Sequence, residues 1–202
     1  MIFDAFLTHV LPSVAGCPDA LALDHILKAA RTFCARTLVW NYSTPPFVAE
    51  VGKANYTLQI PKDQELVRLL LADVGGDEYA TPDGTSGRRA ARQLSGNYVV
   101  MQGLRDFILS PAPSVAGIEV ITDVAVKPTM QATDWPDDLG EYVTDIAAGA
   151  IATLCLLPRV EWSSKDLAGA QMALFNSRIS TVGLKVSHGL SAGRKSARIA
   201  WF

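Results

Sequence analysis

The chain has 202 residues, 49% of them hydrophobic and 19% charged, with a formal net charge of -2. This is the composition of one globular domain, or of one domain with a sizeable insertion, and it excludes a disordered or fibrous chain. A balance so close to neutral gives no overall drive toward nucleic acid or membrane surfaces, and the longest nearly apolar run, residues 146–157, is short of the roughly 20 residues a bilayer crossing takes.

The opening Met1-Ile2-Phe3-Asp4 places an acid where an export signal carries Lys or Arg, so a soluble protein made in a cytoplasm is expected. Residues 2–11 form a short apolar segment that reads as a small helix of its own. The first long helix follows Cys17-Pro18-Asp19, where Pro and Asp are start signals. Leu23, Ile26, Leu27, Ala30, Phe33, Cys34 and Leu38 recur at helical spacing, while Asp24, Lys28, Arg31 and Arg36 fall elsewhere. That is one buried stripe with a wet face.

After Trp40 the period changes, and Thr44-Pro45-Pro46 breaks any helix. Residues 48–51 and 56–60 read as strands around Gly52-Lys53-Ala54-Asn55, with Tyr56, Leu58 and Ile60 alternating with Thr57 and Gln59. Residues 66–74 make a third apolar run, ending at Gly75-Gly76. Residues 97–102 and 105–109 read as a hairpin across Gly103-Leu104, and residues 117–127 supply another strand before Pro128. Residues 81–96, rich in Gly, Ser and Arg, read as a loop with a short helix at 88–94. At least five short strands are expected, mostly antiparallel because their connections are short.

Helix returns at Pro136-Asp137-Asp138, with Tyr142, Ile146, Ala150, Leu154 and Leu157 on one stripe. Ala147, Ala148, Gly149 and Ala150 are small enough to let another helix approach closely, and Pro158 stops the run. Ser163-Ser164-Lys165-Asp166 reads as a capping box with Ser163 as the cap. It opens a long helix carrying Ala168, Met172, Phe175, Ile179 and Val182, predicted to end near Gly183.

Residues 185–202 differ from the rest. They contain Lys185, Arg194, Lys195 and Arg198, no acid, and Ser187, Gly189, Ser191, Gly193 and Ser196, a composition that favours extended chain. They end in Ala200-Trp201-Phe202. The segment reads either as an arm whose aromatics dock on a partner or as a loosely packed end.

Catalytic signatures are missing. His9, His25 and His188 form no HExxH, and Cys17, Cys34 and Cys155 form no CxxC pair, so the thiols read as small buried hydrophobes and no metal site or cofactor is expected. Gly84-Thr85-Ser86-Gly87 is too short for a nucleophile elbow. Gly189 to Ser196 has one residue too few between its glycines for a phosphate-binding loop, and Arg194 precedes the lysine. The four cations of the tail, spread over 14 positions, make a poor nucleic-acid reader.

Several ordered segments carry a family resemblance. Residues 11–19 (Leu-Pro-Ser-Val-Ala-Gly-Cys-Pro-Asp) lead into residues 29–37 (Ala-Ala-Arg-Thr-Phe-Cys-Ala-Arg-Thr) and Trp40. Tyr56-Thr57-Leu58-Gln59-Ile60-Pro61 follows, then Val126-Lys127-Pro128 and Trp135-Pro136-Asp137-Asp138-Leu139. Gly149-Ala150-Ile151-Ala152-Thr153-Leu154, Leu157-Pro158 and Trp162-Ser163 close the set. Over about residues 8–184 the chain resembles the head-to-tail adaptor proteins of short-tailed bacteriophages.

The resemblance implies an α+β fold: a helical bundle of three main helices plus a short N-terminal one, a central antiparallel β-rich insertion and an extended C-terminal arm. Residues 1–42 and 136–184 would form the bundle, residues 43–135 the insertion and residues 185–202 the basic arm. It further implies a homo-oligomeric ring of about twelve copies in the virion neck, beneath the portal protein and above tail nozzle or hub proteins. Genomic DNA would pass through its channel without specific binding. Lys185, Arg194, Lys195, Arg198, Trp201 and Phe202 are the candidate portal-docking residues, by analogy. A tail-tube or nozzle component of the same neck is the nearest alternative. A small cytoplasmic enzyme or nucleic-acid-binding protein is the alternative of a different class.

Overall fold

The computed structural model describes residues 3–81 and 96–188. The fold is α+β, with a helical layer packed on one curled, mostly antiparallel sheet.

The N-terminal segment is a 3-10 turn (Phe3–Phe6), a single α-turn α1 (Leu7–Val10) and a second 3-10 turn (Leu11–Ser13). Helix α2 spans Asp19–Thr37 and buries Ile26, Ala30, Phe33 and Cys34, the stripe its periodicity requires. Leu38 falls just outside: it adopts the left-handed conformation (φ 56°) and its N–H donates to the Cys34 carbonyl, closing the helix. Helix α3 spans Val143–Cys155 and is buried on nearly every side, because α2, the N-terminal turns and the last helix all pack against it. The start expected at Pro136 is a 3-10 segment (Asp137–Tyr142) rather than α-helix. There the Trp135 indole N–H donates to the Leu139 carbonyl at 3.0 Å, engaging the acceptor that an α-turn would give to Val143.

Helix α4 spans Lys165–His188. Its cap is Ser164, whose hydroxyl accepts from the Leu167 N–H at 3.3 Å, and not Ser163. Ser163 donates instead to the Cys155 carbonyl at 3.4 Å, at the end of α3. The stop expected at Gly183 is overrun by five residues. Gly183 lies against the Arg36 carbonyl and Thr37 at the end of α2, and Val186 still packs on the core, so the extra turn has support.

The strands are β1 (Asn41–Ser43), β2 (Phe47–Val48), β3 (Asn55–Thr57), β4 (Gln64–Val74), β5 (Asp77–Ala80), β6 (Tyr98–Met101), β7 (Asp106–Ser110) and β8 (Glu119–Pro128). Their order is β1-β8-β4-β5-β6-β7-β3, with β2 also on β8. All pairs are antiparallel except a single β5–β6 bridge. Strands β1 and β5 were not expected from the sequence, and β1 brings the sheet's start back to Asn41. Gly75-Gly76 is not merely the end of a run but the turn joining β4 to β5. Both have positive φ, and a Cβ on Gly75 would lie 2.7 Å from Ile118, so only glycine fits there.

Phe47 on β2 meets Tyr56 on β3 and Phe107 on β7 at ring distances of 5.2 and 6.3 Å. These strands stand at opposite ends of the sheet order, so the sheet curls until its ends share one aromatic cluster. Helix α2 lies against β8. Trp135 meets Phe3, Phe6 and Trp40 edge-on at 5.7–6.1 Å. A single cluster of buried residues runs through helices and sheet alike.

Candidate functional site

The wet face of α2 carries Lys28, Arg31, Thr32, Ala35 and Arg36, one stripe at helical spacing. With Lys127 from β8 they line an open groove of about 380 Å³. Acids hold the cations in place. Lys28 Nζ lies 2.6 Å from Asp24. The Arg31 guanidinium forks onto both oxygens of Glu65 at 3.1 and 2.9 Å and also donates to the Pro128 carbonyl. Lys127 Nζ reaches the same carboxylate at 3.4 Å. Arg36 donates to Asn176 Oδ1 at 2.8 Å, tying the groove to α4. The Arg31 hydrogen bonds hold the Glu65 carboxyl below the usual range, with Lys127 adding to the effect and partial burial opposing it. Four cations against two carboxylates leave the groove positive.

The opposite charge gathers elsewhere. Residues 129–158 contain Asp134, Asp137, Asp138, Glu141 and Asp145 and no Lys or Arg. The first four of these acids are exposed around the 3-10 turn ahead of α3. Asp145 is mostly covered and pairs with Arg178 at 3.3 Å. Burial pushes its carboxyl up, and the Arg178 charge opposes that. The Tyr142 hydroxyl is pushed up to about 12 by burial and by the neighbouring Glu141 and Asp145.

Of the candidate docking residues, Lys185 is part of α4 rather than of an extended arm, which corrects the arm's expected start. Its charge acts on Asp145, so it belongs with the acids at this end of the helix pair. Arg194, Lys195, Arg198, Trp201 and Phe202 lie outside the described residues, as do residues 82–95 with their expected short helix. These undescribed segments contribute six cations (Arg88, Arg89, Arg92, Arg194, Lys195, Arg198) against Asp83 alone. The described body is correspondingly acidic.

The outward face of α4 is also uncharged over a long stretch. No charge stands between Asp166 and Arg178, where the exposed positions are Gly169, Ala170, Ala173, Leu174 and Ser177; Arg178, Ser180, Thr181, Leu184 and Lys185 follow. Leu174 and Leu184 are 45% and 59% exposed.

His25 Nδ1 lies 2.8 Å from the Thr153 hydroxyl, joining α2 to α3, and burial with nearby Lys28 lowers its pKa. It is a packing histidine, and His9 is exposed. All three cysteines are free and buried, as their spacing implied, and burial pushes the Cys34 thiol up to about 12. Among the described residues no group of His, Cys, Asp and Glu could hold a metal ion, and no helix is long and apolar enough to cross a membrane.

No family model matches this sequence, and no curated protein matches it either.

The groove on α2 is the feature that sequence reasoning passed over. Lys28, Arg31 and Arg36 were visible as a wet face, but nothing local to α2 shows that Lys127, 91 positions beyond Arg36, closes one side of it.

Proposed function

We propose that this chain is a structural virion protein: a head-to-tail adaptor that assembles as a ring beneath the portal of a short-tailed virus, extends the DNA channel and gives the tail its platform. The observation that carries the reading is the outward face of α4. A surface helix of a monomer normally turns charge to water. Between Asp166 and Arg178 this one exposes glycine, alanines, a leucine and a hydroxyl and no charge, as the side of an assembled subunit does. The ordered segments that resemble the adaptor family favour the same reading. Helix α4 passes the end of α2 at Gly183 and closes at His188, at the end of the helical layer. Head-to-tail contacts between such subunits close into a ring when the rotation permits.

Protein mass spectrometry of purified virions, with crosslinking, tests this. The chain is expected among the virion proteins, crosslinked to the portal and to itself. Its absence from virions would sink the adaptor reading. Crosslinks to tail proteins alone would move it down the neck to the nozzle.

A further inference from the structure

We infer that the basic groove on α2 is one half of a self-association contact, and that its occupant is the acidic turn, residues 134–141, of a second copy of this chain. The inference deepens the ring reading by naming which surfaces meet.

Two observations on the same chain carry it. The groove offers Lys28, Arg31, Arg36 and Lys127, and among the described residues Asp24 and Glu65 pair with them. The acidic turn exposes Asp134, Asp137, Asp138 and Glu141 within a sequence stretch without Lys or Arg, and Arg178 and Lys185 of α4 meet its neighbour Asp145. Phe33 packs on Tyr142 at 5.3 Å, so the core face of α2 is the one that meets the acidic turn. Lys28, Arg31 and Ala35 stand about 140–160° round the helix from Phe33, since successive residues are turned by about 100°, so this part of the groove points away from Tyr142, while Arg36 stands at its edge toward α4. A positive surface and a negative one on different sides of one molecule make a head-to-tail contact rather than a two-fold one.

The groove's cations are also pre-ordered. Glu65 fixes Arg31 and Lys127, and Asn176 fixes Arg36, so little side-chain freedom remains to be lost on association. The Arg36–Asn176 bond makes the groove continuous with α4, whose charge-free stretch between Asp166 and Arg178 extends the area a second copy can cover. A short acidic turn suits this site better than a nucleic-acid duplex does. A duplex is a rigid rod with a charge about every 1.7 Å, and the described residues it would meet are acidic on balance.

The test uses the full chain in low salt, with mass read by sedimentation equilibrium. Arg36→Glu spoils the groove, and Asp138→Lys with Glu141→Lys spoils the turn. Each variant alone is expected to self-associate at least about tenfold more weakly than the natural chain. Mixed in equal amounts they should pair one to one, because each still carries one intact surface. Circular dichroism and melting temperature establish that the variants fold, and Arg36→Gln serves if Arg36→Glu does not. A natural chain that stays monomeric, variants that keep the natural chain's mass, or a folded pair that will not associate when mixed would each overturn the inference. So would an unchanged self-association in Arg36→Glu together with lost binding of a 20-base-pair duplex (roughly two helical turns), which would assign the groove to nucleic acid. Since portal is absent from every arm, a failure here leaves the adaptor reading to be judged by its own experiment.

Discussion

In the helical layer the decisive contact is a missing side chain. Gly149 on α3 leaves room for the Phe175 ring of α4, and a Cβ there would lie 2.8–2.9 Å from three ring atoms. In the sheet the decisive contact is the reverse, three large rings (Phe47, Tyr56, Phe107) filling the place where the ends of the sheet meet. The helices are therefore close because residues are small, and the sheet is closed because residues are large. The two layers nevertheless share one buried cluster, with Trp135 and Trp40 at the seam. Two ways of packing should thus give one cooperative unit.

The largest effects break that comparison. Phe107→Ala in the sheet and Phe33→Ala in the helical layer each remove a fully buried ring and should each cost about 3–5 kcal/mol. Urea unfolding followed by far-ultraviolet circular dichroism and by tryptophan fluorescence should give coincident transitions in both variants. Two separated transitions would mean that the layers fold independently, as a bundle with a true inserted domain would.

Gly149→Ala sharpens it. Overpacking against Phe175 costs about 1–3 kcal/mol, and the alanine returns up to about 1 kcal/mol of helix propensity. The expected net loss is about 1 kcal/mol, recovered when Phe175→Leu is added. A stabilised Gly149→Ala would show that α3 and α4 have slack between them.

A smaller effect concerns the tie between the layers, the Arg31–Glu65 pair. Part of Glu65 is in water, so Arg31→Gln should cost no more than about 1 kcal/mol. Glu65 has a folded pKa below its ordinary value of 4.5. Its contribution is present above that pH and is lost as pH falls through the lowered folded value. The stability lost on acidification below pH 4.5 should be smaller in Arg31→Gln than in the natural chain. His25 acts with the same sign higher up: its lowered pKa means stability is lost as pH falls below 6.5. The smallest effect is expected on deleting residues 189–202, which should leave the melting temperature nearly unchanged.

The helical layer was the more legible in the sequence because its information is local. The stripes of α2 and α4 follow from spacing alone, and the small residues of α3 announce a close neighbour. The errors sit at ends decided by tertiary contact: Ser164 caps α4 because Ser163 is drawn to the Cys155 carbonyl, and α4 outruns Gly183 because the end of α2 and Val186 support it. In the sheet, residues 56–60 alternate inward and outward as read, yet only Asn55–Thr57 is paired. Strands β1 and β5 escaped notice because short polar strands such as Asn41–Ser43 owe their existence to the partner across from them. The candidate site divides the same way. The cations of α2 were visible, while the groove needs Lys127 and Glu65 from distant strands. Composition alone places Lys185 in an arm, because it cannot show that α4 continues through it.

The most direct measurement is native mass spectrometry of the full chain mixed with the portal ring that the adaptor reading assigns to it. The adaptor reading predicts many copies seated on each portal ring, with binding sharply weakened by deleting residues 189–202 and largely by Trp201→Ala with Phe202→Ala. A folded chain that leaves the portal ring bare under the same conditions would contradict it.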